Sequence, residues 1–483
     1  MAKAKKRKNT SVDLNTLNPD QREAFDELRA FIVDKLDDSV YVLKGWAGTG
    51  KTYCVSTLVR YVLENLHPTH NWYKIAVTGP TNKSVRVIKK TTGLINSRVT
   101  FQTIHKLLGL TEKITSDGKQ EFVNQGGFVP SIKSVKLLII DEVSMLNDDL
   151  FHEILKYRGN IKIICMGDPA QIPPVGRPDC IPFRDELGEA YRIKTLQLKT
   201  IMRQKNGNAI IDCSVVIRTN LEESKSKLEP ITRINKNGEG IEFLNLNIPE
   251  TRKGFSEILR RYFVTDEFKK DSEYVKIIAW RNKTVATMNG VTRKVIYGDE
   301  ALGSKILVGE KLIANNPIVQ GESIVLNTND EFSVDSFIID SDDLRYHVSD
   351  HPDAEPFLIT LKYYETVVSY LADENETVRV NVQILHEDSE EDFKKLANIL
   401  KLKAIEKKGK DKSWLVYYNF LRKYADVNYA YCNSAHKSQG STYNTTFVLE
   451  DDIDMNWDVV ERNRIKYTAY TRASRKLYVL KRF

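Results

Sequence analysis

The chain has 483 residues, 41% hydrophobic and 28% charged, with 72 Lys and Arg against 65 Asp and Glu for a formal net charge of +7. That length supplies roughly two to four domains with buried cores, and no apolar run nears the ~18 residues of a membrane span or forms a secretory leader. Five scattered cysteines (Cys54, Cys165, Cys180, Cys213 and Cys432) with no C-x-x-C exclude a disulfide framework and a structural zinc cluster, and suggest a reducing compartment.

The charge is concentrated at one end. Lys3, Lys5, Lys6, Arg7 and Lys8 give residues 1–12 a charge of +5 with no acid, which leaves +7 − 5 = +2 for the rest. Such a tail suits a phosphate backbone or a nuclear address, and equally a solvated, disordered segment.

In chain order, Gln21 to Leu36 carries Phe25, Leu28, Phe31, Ile32 and Leu36 at helical spacing. Val40–Leu43 reads as a short apolar strand, followed by a Gly-rich turn and a helix over Thr52–Leu63. The pattern recurs with strand Lys74–Thr78, helix Lys83–Lys90 and strands Val135–Ile140 and Ile161–Met166. Strands alternating with helices predict a parallel α/β sheet covered on both faces. Lys113–Val123, with Asp117-Gly118 at its centre, predicts a β-hairpin inserted in this domain. A second α/β pattern opens with strand Tyr274–Trp280 and helix Lys283–Tyr297, and returns with Thr446–Leu449 and helix Asp458–Ala469. Between them, Ser323–Leu326, Phe332–Ile339, Phe357–Lys362 and Val378–Leu385 predict short strands of a small β-barrel, followed by helices Glu390–Lys408 and Lys412–Tyr424.

Gly45-Trp46-Ala47-Gly48-Thr49-Gly50-Lys51-Thr52 matches the phosphate-binding loop G-x-x-x-x-G-K-[ST]. Glycines let backbone N–H groups converge on phosphate oxygens at a helix N-terminus whose dipole favours anions. Gly45, Ala47, Gly48, Thr49 and Gly50 form the cradle, Lys51 reaches the β- and γ-phosphates of ATP, and Thr52 ligates Mg²⁺. Asp141-Glu142 ends an apolar strand, where Asp141 suits Mg²⁺ and Glu142 suits the base that activates water. Gln171, in Gly167-Asp168-Pro169-Ala170-Gln171, is placed to sense the γ-phosphate, with a plain Gly-Asp-Pro turn as the alternative.

Together these residues resemble the superfamily 1 helicases, in the 5′→3′ branch of RecD-like and phage Dda-type enzymes. Asn18-Pro19-Asp20-Gln21 is similar to the adenine-reading Q motif. Thr78-Gly79-Pro80-Thr81-Asn82-Lys83 resembles motif Ia and Thr103-Ile104-His105 a T-I-H element. Ile201-Met202-Arg203-Gln204 resembles motif IV. Ser434-Ala435-His436-Lys437-Ser438-Gln439-Gly440 resembles motif V, and Tyr467-Thr468-Ala469-Tyr470-Thr471-Arg472-Ala473-Ser474 motif VI.

The resemblance implies two RecA-like parallel-sheet domains. The first spans 13–205 with a pin insertion at 107–134. The second comprises 206–308 and 427–483, with an SH3-like β-barrel and helical tower inserted at 309–426. It implies nucleotide contacts by Gln21, Gln439 and Gly440. Arg203 and Arg472 become arginine fingers, whose charge stabilises the transferring phosphoryl group and whose closure drives translocation. Pro80, Thr81, Asn82, Thr103, His105, His436, Lys437 and Ser441 become contacts to single-stranded DNA. Phe122 is the candidate wedge at a fork, unless it is a core aromatic. Trp414 is either a support for the pin or a helix-packing residue. The implied activity is ATP-dependent 5′→3′ unwinding by a monomer in a phage-infected bacterial cytoplasm, beside single-strand-binding and other replication or recombination proteins. The alternative is a RecD-like translocase subunit that strips proteins or depends on a partner and unwinds poorly.

Overall fold

The structure, a computed structural model, describes residues 12–115, 117–124, 129–174, 176, 179–202, 208–224, 229–320, 323–346, 355–371, 376–407 and 412–482. The basic tail (1–11) and Arg203 with Gln204 lie outside the described residues. The chain divides into two units. The first holds Met1–Leu110, Asn124–Leu228 and Val459–Thr471; the second holds Thr111–Val123, Glu229–Asp458 and Arg472–Phe483.

The first unit is built on a six-stranded parallel sheet in the order Val99–Thr103, Lys74–Gly79, Val135–Ile140, Lys162–Gly167, Val40–Gly45, Ile193–Leu198. The central strands are predominantly apolar because helices cover both faces. Phe25, Leu28 and Phe31 pack one face with Leu43 and Ile139, while Leu107, Phe151 and Ile154 pack the other with Val42 and Leu138. The N-terminal helix runs Pro19–Val33. It starts where Asn18 and Gln21 form a reciprocal capping box with proline at the first position. Open parallel sheets bind ligands beyond the carboxyl ends of their strands. Those ends carry the Gly45 loop, Asp141, Asp168, Pro80 and, next to Thr103, His105.

The second unit has its own six-stranded sheet in the order Cys432–Ser434, Val275–Ala279, Tyr443–Leu449, Ala473–Lys481, Gly240–Asn245, Arg233–Ile234, parallel except for the last pair. Both units therefore have the parallel-sheet RecA-like core. A five-stranded antiparallel sheet follows in the order Thr377–Leu385, Phe357–Leu371, Glu331–Tyr346, Lys311–Ala314, Val427–Tyr429. Two of these strands greatly outrun the short barrel strands expected, since Glu331–Tyr346 and Phe357–Leu371 pair almost end to end. The polar run Asp340–Asp343 resembles a turn in sequence, but here it continues an exposed strand.

A buried ion pair ties that sheet to the parallel one. Arg293, on the helix Asn282–Tyr297, donates from Nε to Glu310 Oε1 at 2.6 Å, and both side chains are almost wholly buried. Burial raises the Glu310 carboxyl above its ordinary value against the pull of Arg293.

Two segments fall in units other than those expected. The helix Ala209–Thr219 was expected to open the second α/β domain, yet it belongs to the first unit beside the helix Val459–Tyr470. Asn463 holds the two together, its Nδ2 donating to Leu221 O at 2.8 Å. Conversely, the hairpin Thr111–Ile114 and Gln120–Val123, inserted in the chain of the first unit, belongs to the second.

Candidate active site and nucleic-acid interface

The phosphate loop joins strand Val40–Gly45 to helix Lys51–Tyr61. Gly48 and Gly50 take left-handed φ of 83° and 77°, which a side chain would strain. Lys51 Nζ donates to Gly45 O at 2.8 Å and Trp46 O at 3.2 Å, so the loop's own carbonyls hold the ammonium at its mouth. Thr52 lies half-buried in the first helical turn. Gln21 is buried against the loop, its Nε2 donating to Thr49 O at 2.9 Å and its Oε1 accepting from Asn18 N at 3.2 Å. It braces the loop directly.

Glu142 follows strand Val135–Ile140 with a left-handed φ of 50°. A non-glycine residue held there stores on the order of 1 kcal/mol of strain, a pattern common at functional sites. Burial pushes the Asp141 carboxyl up to about 7, with the neighbouring Glu142 charge adding to it. A carboxylate so placed gains from a divalent cation, and Mg²⁺ on a nucleotide needs only one or two protein ligands besides phosphate and water. Asp141 with the Thr52 hydroxyl fits that requirement. Among the described residues, no group of three His, Cys, Asp or Glu could hold a metal unaided.

Asp168 is fully buried and pairs with Arg218, while Tyr467 donates its hydroxyl to Asp168 Oδ2 at 2.6 Å. Gln171 is buried nearby in sequence, its Oε1 with no hydrogen-bond partner among the described residues. A buried acceptor of this kind is costly until a donor reaches it. The segment after strand Ile193–Leu198 is held in two places. Asp20 accepts from the backbone of Lys199 and Thr200 at 2.9 and 2.8 Å, bonds that keep its carboxyl below the usual range. Met202 N donates to Gly48 O at 2.8 Å, which brings this backbone to the phosphate loop just before Arg203.

Candidate DNA contacts in the first unit form one row. Pro80, Thr81 and Asn82 follow strand Lys74–Gly79, and Thr103 and His105 follow the neighbouring edge strand; all are partly exposed. Thr81 and Thr103 cap the next helices, each accepting a backbone N–H. Burial holds His105 below the usual imidazole value.

In the second unit, His436 and Lys437 are partly exposed after strand Cys432–Ser434, and Lys437 Nζ donates to Asn315 Oδ1 at 3.1 Å. Gln439 is buried and Gly440 turns the chain with φ 72°. Ser441 is buried, its carbonyl accepting from Arg472 Nη1 at 3.1 Å. The loop's exposed face therefore belongs to His436 and Lys437.

Phe122 is 56% exposed on the hairpin and pairs across it with Glu112, so it is not a core aromatic. The helix Ser413–Leu421 grips the hairpin. Tyr418 donates its hydroxyl to Gly118 O at 2.6 Å, and Arg422, just beyond the helix, binds Glu112 at 2.5 Å. Sequence reasoning missed Arg218, which no motif contains, and the role of Tyr467, which its motif does contain.

Residues 16–238 match the family described as AAA domain, and residues 429–480 the UvrD-like helicase C-terminal domain. The ATP-dependent DNA helicase dda of Enterobacteria phage T4 is 24% identical, covering 95% of this chain and 98% of its own. An uncharacterised protein of Acanthamoeba polyphaga mimivirus is 26% identical over 95% of this chain and 99% of its own. The chain is thus similar to superfamily 1 helicases of the Pif1- and RecD-like branch. A solved structure of the Pif1 helicase from Candida albicans aligns with 96% of this chain and 95% of its own, at 16% identity and a TM-score of 0.47. No helix among the described residues is long and apolar enough to cross a membrane.

Proposed function

We propose that this chain is an ATP-driven DNA helicase that translocates 5′→3′ along single-stranded DNA and parts the duplex on the hairpin Thr111–Val123. The observation that carries the reading is the hairpin itself: Phe122 stands exposed on it, and Tyr418 and Arg422 anchor it. A wedge must be held rigidly and offer an apolar face, and the anchored hairpin with its exposed Phe122 ring supports that reading. The direction rests on the branch of the family rather than on geometry.

In the proposed cycle, MgATP binds the phosphate loop through Lys51 and Thr52, with Asp141 beside the metal and Glu142 as base. Gln21 meets adenine by exchanging one of its present bonds. Gln171, Gln439 and Gly440 respond to the nucleotide, and Arg203 and Arg472 neutralise the transferring phosphoryl group. The row from Pro80 to His105, with His436 and Lys437, holds the strand by a limited set of contacts, which a motor that releases DNA at each step requires. The enzyme acts as a monomer in the host cytoplasm, a setting that rests on the phage relative.

The deciding experiment offers forks with either a 5′ or a 3′ single-stranded arm. Unwinding of the 5′ substrate alone is expected. Unwinding of the 3′ substrate alone overturns the direction. ATP turnover on single strands with both forks left intact points instead to a RecD-like translocase.

A further inference from the structure

The peptide unit between Trp46 and Ala47 has a cation on one side and a tyrosine on the other. Its carbonyl accepts from Lys51 Nζ at 3.2 Å and from Thr49 Oγ1 at 2.9 Å. Its N–H, at Ala47, donates to the hydroxyl of Tyr467 at 3.2 Å. Tyr467 in turn donates to Asp168 Oδ2, and Asp168 is completed by Arg218 and by the N–H of Ala170 at 3.1 Å. The Arg218 guanidinium also lies 5.1 Å above the Trp46 ring. A continuous polar chain thus runs from the phosphate-binding lysine to a helix far along the sequence. All of it belongs to the first unit.

A peptide unit is planar and turns as one piece. When Lys51 leaves the Trp46 carbonyl for a phosphate, that end of the plane loses its cation, and rotation of the unit carries the Ala47 N–H with it. Tyr467 is buried, so its hydroxyl has no water to exchange for a lost donor, and only the longer contact from Arg218 Nη1 at 3.5 Å is left to it among the described residues. It must follow the loop or give up the bond. Tyr467 stands on the helix Val459–Tyr470, and Arg472 comes directly after that helix, where the chain passes into the second unit.

We propose that Tyr467 is a positioning residue that transmits occupancy of the phosphate loop to the helix leading into Arg472. Asp168 and Arg218 form its seat: Arg218 neutralises a carboxylate that could not otherwise remain buried and charged, and Asp168 fixes the hydroxyl so that its lone pair faces Ala47. This rests on the reading of Arg472 as a group that acts on the nucleotide.

The test is Tyr467→Phe, which removes one oxygen and keeps the ring. Affinity for a fluorescein-labelled oligo(dT) is measured with and without Mg²⁺ and a non-hydrolysable ATP analogue, and the ratio of the two dissociation constants gives the coupling between the sites. In the unaltered helicase the analogue is expected to shift this affinity by at least about fivefold. In Tyr467→Phe the shift falls below about twofold, while each ligand alone binds within about threefold of normal and the melting temperature holds within a few degrees. A wild-type ratio in Tyr467→Phe overturns the proposal, as does absence of coupling in the unaltered protein. Weakened binding of either ligand alone with early melting overturns it too, since Tyr467 would then be a structural prop. Failure of the Arg472 reading shows separately, as undiminished ATP turnover in Arg472→Ala.

Discussion

The indole of Trp414 lies so close to Gly118 that a Cβ built on the glycine would fall 2.5 Å from Cζ2 of the ring. Gly118 also takes a φ of 80° at the hairpin tip, so the position excludes a side chain on two independent grounds. Gly118→Ala is therefore expected to lift the tip off the helix Ser413–Leu421 and leave the wedge loose. Fork unwinding should fall about tenfold or more, with single-strand-stimulated ATP hydrolysis within about twofold of normal. Equal loss of both activities would show that the hairpin supports the ATPase fold instead.

Phe122 sits directly across the hairpin from Glu112, the residue that Arg422 holds. Phe122→Ala removes the exposed ring and leaves that anchor untouched. ATP should then be spent without strand separation, read as more nucleotide hydrolysed per base pair opened. An unchanged ratio would remove Phe122 from the wedge.

Lys51→Ala deletes the ammonium at the mouth of the phosphate loop that bonds both Gly45 O and Trp46 O. Turnover should drop at least about a hundredfold for want of charge on the phosphates. Oligonucleotide binding, measured by anisotropy without nucleotide, should remain within about threefold, because the candidate DNA contacts follow other strands. Retained hydrolysis would sink the loop's assignment.

Glu142→Gln keeps the side chain's shape and hydrogen bonding while removing its basicity. Nucleotide binding should survive and hydrolysis should fall by about two to four orders of magnitude. A turnover rate close to normal would move the base elsewhere.

Glu310→Ala leaves Arg293 buried without its carboxylate partner. Removing one member of such a pair costs about 3–5 kcal/mol, to be read from urea unfolding. Replacing both with apolar residues of similar volume, Arg293→Met with Glu310→Leu, should cost less.

The candidate nucleotide site stands out in the chain because its parts are local. The glycines, lysine and threonine of residues 45–52 lie side by side, and an acidic pair at the end of an apolar strand announces itself. Arg218 was invisible, since it matters only through Asp168 and Tyr467, residues that the fold alone brings to it. Trp414 against Gly118 is a similar case: each residue was noticed separately, but what joins them is a long-range contact. The strands Glu331–Tyr346 and Phe357–Leu371 exceed the expected Phe332–Ile339 and Phe357–Lys362 because their ends are held by pairing with each other, a long-range register that the chain alone does not show. Ser441 was grouped with its neighbours on the motif alone, which says nothing about which side of a turn faces inward.

The first unit draws one of its helices, Val459–Tyr470, from beyond the entire stretch Glu229–Asp458. On a ribosome, the phosphate loop and its strands emerge long before the tyrosine that bonds to them. Until then Asp168 has no hydroxyl donor, and the faces of the helix Ala209–Thr219 that meet Val459–Tyr470 stay uncovered. Closing contacts over so long a separation slows folding. A nascent chain halted before Val459 thus holds a complete phosphate-loop sequence within an unfinished domain.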